Sequence, residues 1–357
     1  MNIHPLRELL NDEPLMAELS ATYGTPLYIY VKDQIGQNVN RLKHALKPNF
    51  NQSHICYAVK ANSNPHLLKL MKSYHPEIGG DCSSPGEIYA AELAGIDPKK
   101  CLYTGNYESE PDLRLALEKG CYINLDDASS LDRLLSIDTP ERISFRLNPG
   151  FGKGTFSQIT TAGENAKFGI PAEKIVNAYI NAQKAGIHNF GLQCMAGSGN
   201  LDGDYFIELL TAIIHNTKKI ESELGIHFEF VSMGGGWGIP YKDEEKPLDF
   251  DSLFKNLSDV LYSHYENKDE APALWIEPGK SIIGNTGFIL TTVTGLKNSY
   301  KNYVGLDAGM ETLMRPALYG AYHRMYKIGE SGKSNGAYDF TGPVSYTHLT
   351  LPTILLV

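Results

Sequence analysis

Residues 54–74 read HICYAVKANSNPHLLKLMKSY. The first seven residues are a short apolar, β-prone run that stops at Lys60 and gives way to small polar residues. From Pro65 onward the apolar residues recur at three- and four-residue spacing, as on one face of a helix. A strand that feeds a helix through a short polar turn is one βα unit, and the fold depends on how often that unit returns. Runs at 54–60, 77–84, 101–105, 122–127, 142–149, 190–199, 228–236 and 273–280 read as eight strands. Helical patterns lie between them, as in PGEIYAAELAG, EPDLRLALEKG and AEKIVNAYINAQKAG, several opening on Pro or an acidic residue and closing on Gly. Eight units in a chain of 357 residues predict the α/β class, with a closed (β/α)8 TIM-type barrel rather than an open doubly wound sheet.

Two parts stand outside the repeat. TPLYIYV is a strand that precedes the barrel, and GFILTTVTGL, YVGLDAG and a Pro/Gly-punctuated stretch follow it. The expected organisation is an N-terminal strand and helix segment (1–35), the barrel (36–290) and a C-terminal β-domain (291–343) to which the N-terminal strand returns. From residue 344 the chain matches no earlier pattern. VSYTHLTLPT resembles one reading frame of a transposon sequencing adapter, so 344–357 is expected to be a non-native tail and the β-domain incomplete; the other reading is an ordinary C-terminal strand.

Composition narrows the class of partner. Apolar residues make up 42% and charged residues 20%, as in an ordinary globular chain, so folding is expected. The formal charge of −9, with no Lys/Arg cluster to offset it, gives no attraction to nucleic acid or to an anionic membrane surface. MNIHPLRELLNDEP lacks the apolar core of a secretory signal, and no run has the length to cross a bilayer, which predicts a cytoplasmic protein acting on a small molecule. Cys56, Cys82, Cys101, Cys121 and Cys194 are odd in number and lack CxxC spacing, so reduced thiols are expected, with neither disulfides nor a metal site.

In such a barrel the C-terminal ends of the strands converge on one face, where the active site is built. Lys60 ends the first strand, Asp81 lies in the second, and Arg146 and Asn148 end the fifth. Ser198 follows the sixth, Gly234, Gly235 and Gly236 follow the seventh, and Glu277 and Lys280 end the eighth. A lysine whose stem lies in apolar surroundings can have its pKa lowered by desolvation and serve as an amine nucleophile that holds an aldehyde. Triple glycine lets backbone amides approach a phosphate, and Ser198 adds a hydroxyl donor nearby. A carboxylate such as Glu277 beside a pyridine nitrogen keeps the ring protonated and makes it a strong electron sink. Taken singly these features have plainer readings: a snorkelling surface lysine, a glycine turn, a loop serine, an acidic residue before a turn.

Together the parts resemble the alanine-racemase-fold pyridoxal phosphate decarboxylases, most closely the diaminopimelate decarboxylases. The resemblance runs from about residue 20 to 343 through YAVKAN, DCSSPGEIYAAELAG, RLNPGFGKG, GENAKFGI, GSG, GGGWGIPY, EPGKS and LDAGMETLMRPALYGAYH, in the family order. It implies pyridoxal 5'-phosphate as cofactor, with Lys60 as its attachment point. Ser198, Gly234, Gly235 and Gly236 would lie at the phosphate, Glu277 at the ring nitrogen, and Asp81 and Arg146 behind them. Arg315 and Tyr319 match substrate-binding positions; an arginine suits the second carboxylate of a diaminopimelate, which accepts a planar two-point contact. The implied reaction is loss of CO₂ from meso-2,6-diaminopimelate to give L-lysine, in a homodimer with shared active sites.

The sequence also departs from the family. Met195 stands where a histidine usually lies over the cofactor, and a thioether can pack on a ring but carries no proton. Lys280 replaces an arginine in EPGK, keeping the charge for cofactor or substrate but losing the fork. After GPV the family has a Cys-Glu pair that completes the partner's site; here Ser345 and Tyr346 follow, so low turnover is expected of the chain as written. Within the fold, an ornithine, arginine or carboxynorspermidine decarboxylase is the alternative. Outside catalysis, the alternative is a decarboxylase-like binding protein, which retention of Lys60, the glycines and Glu277 opposes.

Overall fold

The computed structural model describes residues 6–154, 161–329, 338–343 and 354–356. They form two compact units, one drawn from 35–239 and 247–284, the other from 1–34, 240–246 and 285–357. In chain order β1 (Leu27–Tyr30) belongs to the second unit. The first unit then supplies β2 (Ser53–Ala58), β3 (Gly79–Cys82), β4 (Leu102–Tyr103), β5 (Tyr122–Leu125), β6 (Arg142–Asn148), the two-residue β7 (Ile170–Pro171), β8 (Asn189–Cys194), β9 (Phe228–Ser232) and β10 (Ala273–Ile276). Each of these strands except β7 pairs in parallel with two neighbours, in the order β2-β3-β4-β5-β6-β8-β9-β10. The ring closes where β10 returns to β2, Leu274 beside Ser53 and Ile276 beside Ile55. This is the closed eight-stranded parallel barrel expected from the repeat, with β7 as a short addition on β6.

After β2, β3 and β4 the turns are short, and the helix that follows each is capped at its start. Asn64 accepts from the N–H of His66 ahead of the helix Pro65–Tyr74, and Ser84 accepts from Glu87 ahead of Pro85–Leu93. Ser109 and Asp112 form a reciprocal capping box at the start of Glu110–Glu118. Proline lies at the first or second position of all three helices, where its missing N–H costs nothing. The longest helix, Gly203–Leu224, buries Phe206, Leu209, Leu210, Ile213 and Ile214 on one face. Phe206 stacks on Trp237 with ring centres 4.1 Å apart, which fastens the turn after β9 to that helix.

The sequence runs overshoot the strands. The stretch read as 190–199 leaves the ladder after Cys194, 228–236 after Ser232, and 273–280 after Ile276. The residues beyond, MAGSG, MGGG and EPGK, are rich in glycine and leave the ladder to shape the mouth of the barrel. Lys60 therefore sits in a single 3₁₀ turn, Val59–Ala61, and not in the strand itself.

In the second unit β1 runs antiparallel to β11 (Gly287–Asn298), which pairs antiparallel with β12 (Asn302–Leu306); β13 (Asp339–Thr341) lies parallel to β12. The β-domain therefore begins at 285, ahead of the 291 expected, because β11 starts at Gly287. Met16, Phe288, Leu290 and Ile328 share its core with Leu6 and Leu10. Asp307 ties the N-terminal strand in: it accepts from the hydroxyls of Thr25 and Thr291 and from the N–H of Thr292 at 2.9 Å. Of the segment expected to be a non-native tail, 344–353 and 357 lie outside the described residues, and 354–356 form β14, paired in parallel with Leu290–Thr292. All five cysteines are buried with free thiols. No described helix is long and apolar enough to cross a membrane.

Replacing Asp307 by Ala strips three donors of one charged acceptor, and the β-domain should lose roughly 3 kcal/mol. Limited proteolysis checks this: the variant should be cut in the first 30 residues at a protease dose that spares the parent.

Candidate active site

The turn that carries Lys60 is held against the end of β10. Ala58 donates its N–H to the carbonyl of Pro278 at 3.1 Å, and a Cβ on Gly279 would lie 2.9 Å from the side chain of Ala61. Lys60 extends its stem into the open, half exposed, and places its ammonium 2.5 Å from Asp81 at the end of β3. Asp81 is buried, and its other oxygen, Oδ1, has no hydrogen-bond partner. Behind it Ser83 donates its N–H to Glu87 at 2.7 Å, which fixes that carboxylate near the same ammonium.

Although the side chain is half exposed, the protein crowded around the ammonium disfavours its charge more than any other single influence; Asp81, Glu277 and Glu87 together outweigh this and raise the ammonium above its ordinary value. This corrects the lowered amine expected from the sequence. An isolated lysine in apolar surroundings would lose its proton, whereas this one sits in an ion pair with a second carboxylate within electrostatic reach. As it stands Lys60 is a cation that must pass its proton to an acceptor before it can attack an aldehyde.

Glu277 lies one residue beyond β10 and is 4% exposed. Its Oε1 accepts from the Ser232 hydroxyl at 2.6 Å, and the Gln193 amide donates to Oε2 at 2.9 Å and to Oε1 at 3.2 Å. Burial, then the nearby charge of Asp81, push its carboxyl up to about 7, against the pull of Ser232, Lys60 and Gln193. Neither Gln193 nor Ser232 was singled out in the sequence. The signal was there: each is a polar residue at the late end of a largely apolar strand, NFGLQC and FEFVS, where alternate residues of a barrel strand face inward.

The three glycines are required by close packing as well as by any ligand. A Cβ on Gly234 would come within 2.5 Å of the Cys194 carbonyl, on Gly235 within 2.6 Å of the Glu277 carbonyl, and on Gly236 within 2.6 Å of the Gly197 carbonyl. Gly234 and Gly236 also have φ of +65° and +92°. Asn200 stitches the neighbouring loop on, donating to Gly236 and accepting from Gly238, each at 2.8 Å. Ser198 is thereby brought beside Gly236, its Cα 4.0 Å from where a Cβ there would be.

Met195 is pinned at both ends. Gly235 donates its N–H to the thioether sulfur at 3.2 Å, while the Met195 carbonyl accepts from Thr161 at 2.9 Å and from Arg146 at 3.1 Å. Arg146 is buried, pairs with Asp126 at 3.1 Å, and lies 4.6 Å over the ring of Phe168. Asn148 organises the loop beyond β6, donating to the carbonyls of Gly163 and Phe168 and accepting from the N–H groups of Gly150 and Gly163. Lys280 opens the short helix Lys280–Ile283, three residues beyond Glu277.

Arg315 and Tyr319 belong to the β-domain unit, on the short helix Arg315–Tyr319. Arg315 donates to the Tyr241 hydroxyl at 3.0 Å and lies 2.9 Å from Nε2 of His323. Tyr241 ends GGGWGIPY, so this segment runs from the glycine turn of the barrel into the β-domain unit. Tyr241 and His323 were likewise not singled out; they sit inside motifs whose neighbours drew attention. Among the described residues no group of His, Cys, Asp and Glu could hold a metal ion.

A cationic amine, a buried carboxylate facing it, a second buried carboxylate with two donors, and a glycine turn thus share one barrel mouth. Comparison with known proteins shows the family. The pyridoxal binding domain of the pyridoxal-dependent decarboxylases matches residues 33–284. The chain is 38% identical over 311 residues to a diaminopimelate decarboxylase of Methanothermobacter thermautotrophicus, spanning 86% of this chain and 72% of that protein. It is 38% identical over 315 residues to one of Thermoplasma acidophilum, spanning 88% and 74%. The crystal structure of a diaminopimelate decarboxylase from Helicobacter pylori, complexed with L-lysine, is similar with a TM-score of 0.82 and 31% identity, covering 93% of this chain and 82% of that one.

The raised carboxyl of Glu277 gives a pH-dependent stability. A carboxyl whose folded value lies near 7, against an ordinary 4.5, keeps its proton better in the folded state, so folding is penalised as pH rises through that window. Replacing Glu277 by Gln should therefore stabilise the cofactor-free protein at pH 8 by up to about 3 kcal/mol and change it little at pH 4. Urea unfolding at the two pH values checks this; an equal effect at both would show that Glu277 titrates normally.

Proposed function

The chain belongs to the pyridoxal-dependent decarboxylases, and we propose that it is a diaminopimelate decarboxylase, taking CO₂ from one end of meso-2,6-diaminopimelate to leave L-lysine. The observation that carries the reaction type is Glu277, a buried carboxylate held by two donors at the centre of the mouth. The substrate rests on the curated relatives and on Arg315, whose guanidinium suits a distal carboxylate.

The residues present fit pyridoxal 5'-phosphate. Lys60 supplies the amine its aldehyde requires, Asp81 keeps an unpartnered buried oxygen beside that amine, and the glycine turn admits no side chain between backbone and ligand. When bound, the cofactor supplies an electron-withdrawing ring that accepts the electron pair left as carbon dioxide departs. Lys60 would hold it, with Asp81 as the nearest acceptor for the ammonium proton. Glu277 would keep a proton on the ring nitrogen, and Ser198 with the glycine turn would take the phosphate, Gly236 offering its backbone while Gly234 and Gly235, whose N–H groups go to Ser232 and Met195, leave room for it. Arg146, fixed by Asp126, would hold the Met195 backbone, so that Met195 packs its sulfur near the ring without carrying a proton. Lys280 would add a cation at the mouth, and Tyr319 would line the substrate site beside Arg315.

A homodimer with shared sites is part of the same proposal. It is supported by Met314 and Leu318, which are 56% and 51% exposed around Arg315 and Tyr319 and would be covered by a second copy. A cytoplasmic setting accords with five free thiols.

Carbon dioxide release tests the substrate. With the cofactor added, release from meso-diaminopimelate should exceed that from ornithine, arginine or lysine, and L-lysine should be the product. Faster release from one of those other amino acids would overturn the assignment. Arg315→Lys keeps the charge and loses the fork, so KM for diaminopimelate should rise ~10-fold or more with a smaller change in kcat.

A further inference from the structure

Glu277 is held by two side chains to which the proposed reaction gives no role. Ser232, at the end of β9, accepts the N–H of Gly234 at 3.1 Å, which commits its own proton to Glu277 Oε1 at 2.6 Å. Gln193, in β8, points its amide nitrogen at both carboxylate oxygens, and its own oxygen is left buried without a partner. An amide turned the other way would set oxygen against oxygen, so the orphaned acceptor is the consequence of keeping the donor on Glu277.

The distribution of these bonds is unequal. A carboxylate oxygen offers two lone-pair sites. On Oε1 both are taken, one by Ser232 and one by Gln193; on Oε2 one is taken by Gln193 and one stays open. A ring N–H can therefore be received only at Oε2, and a proton residing on Glu277 must sit there too.

We propose that Ser232 and Gln193 are positioning residues that direct Oε2 of Glu277 to the cofactor's ring nitrogen and thereby set whether that nitrogen carries a proton. This rests on the reading of Glu277 given above. Both donors favour the charged carboxylate, and so does Lys60 beyond β2; Asp81 at the end of β3 opposes it. Cys56 in β2 and Cys194 in β8 also face it, and burial raises both thiols, Cys194 to about 12, so they stay neutral. Removing either donor leaves Glu277 protonated over a wider range, and a neutral carboxyl no longer holds a cationic ring.

The test follows the ring nitrogen itself. The full chain is loaded with pyridoxal phosphate labelled with ¹⁵N in the ring, and the nitrogen resonance is followed against pH in the parent, Ser232→Ala, Gln193→Leu and the conservative Ser232→Thr. The parent and Ser232→Thr should keep the nitrogen protonated through neutral pH. In Ser232→Ala and Gln193→Leu its midpoint should fall by about one pH unit or more, with kcat for decarboxylation falling and KM held. Variants that bind the cofactor and titrate with the parent's midpoint overturn the proposal. A parent whose ring nitrogen is unprotonated at neutral pH overturns the role of Glu277, a distinct failure. The two sites lie on different strands, so if one variant does not fold the other decides alone.

Discussion

Two buried carboxylates act on one ammonium at the mouth of the barrel. Lys60 meets Asp81 at 2.5 Å, and Glu277, just beyond the neighbouring strand β10, bears on both. Charges shut away from water are tolerated only when paired and hydrogen-bonded, and the surrounding architecture follows from that demand. The EPG turn packs on the lysine turn, Glu87 reaches back to Ser83, and Ser232 and Gln193 turn their donors inward. Asp81 keeps one oxygen without a partner, and Glu277 keeps one open lone-pair site.

Three carboxylates, Asp81, Glu277 and Glu87, bear on the one ammonium of Lys60. Burial first and the charge of Asp81 second push the Glu277 carboxyl up to about 7, while the carboxylates together hold the Lys60 ammonium more firmly than usual. In the proposed reading, a cofactor with a protonated ring nitrogen would bring a positive charge to Glu277. Binding and charge balance would then be linked.

How far the sequence foretold this depends on what each feature rests upon. The barrel was legible because it repeats: the same strand, turn and capped helix recur, and Asn64-Pro65, Ser84-Pro85 and Ser109 cap the helices that the periodicity marks. Lys60, Asp81 and Glu277 were legible as polar residues at strand ends. The direction of the Lys60 shift was not, because it depends on Asp81, twenty-one residues away, being carried to the same spot by β3. Gln193 and Ser232 were hidden for a like reason: each matters through a third residue on another strand. The glycine turn was legible as a cradle, but its tight packing on the carbonyls of Cys194, Glu277 and Gly197 is a property of three strands meeting and has no local signature.

The central claim is that the lysine paired with Asp81 is where the cofactor attaches. The protein is mixed with pyridoxal phosphate, reduced with borohydride, digested, and the modified peptide located by mass spectrometry. The account predicts one phosphopyridoxyl adduct, on Lys60. An adduct spread over surface lysines, or one concentrated on Lys280 or any other lysine with Lys60 unmodified, would contradict it.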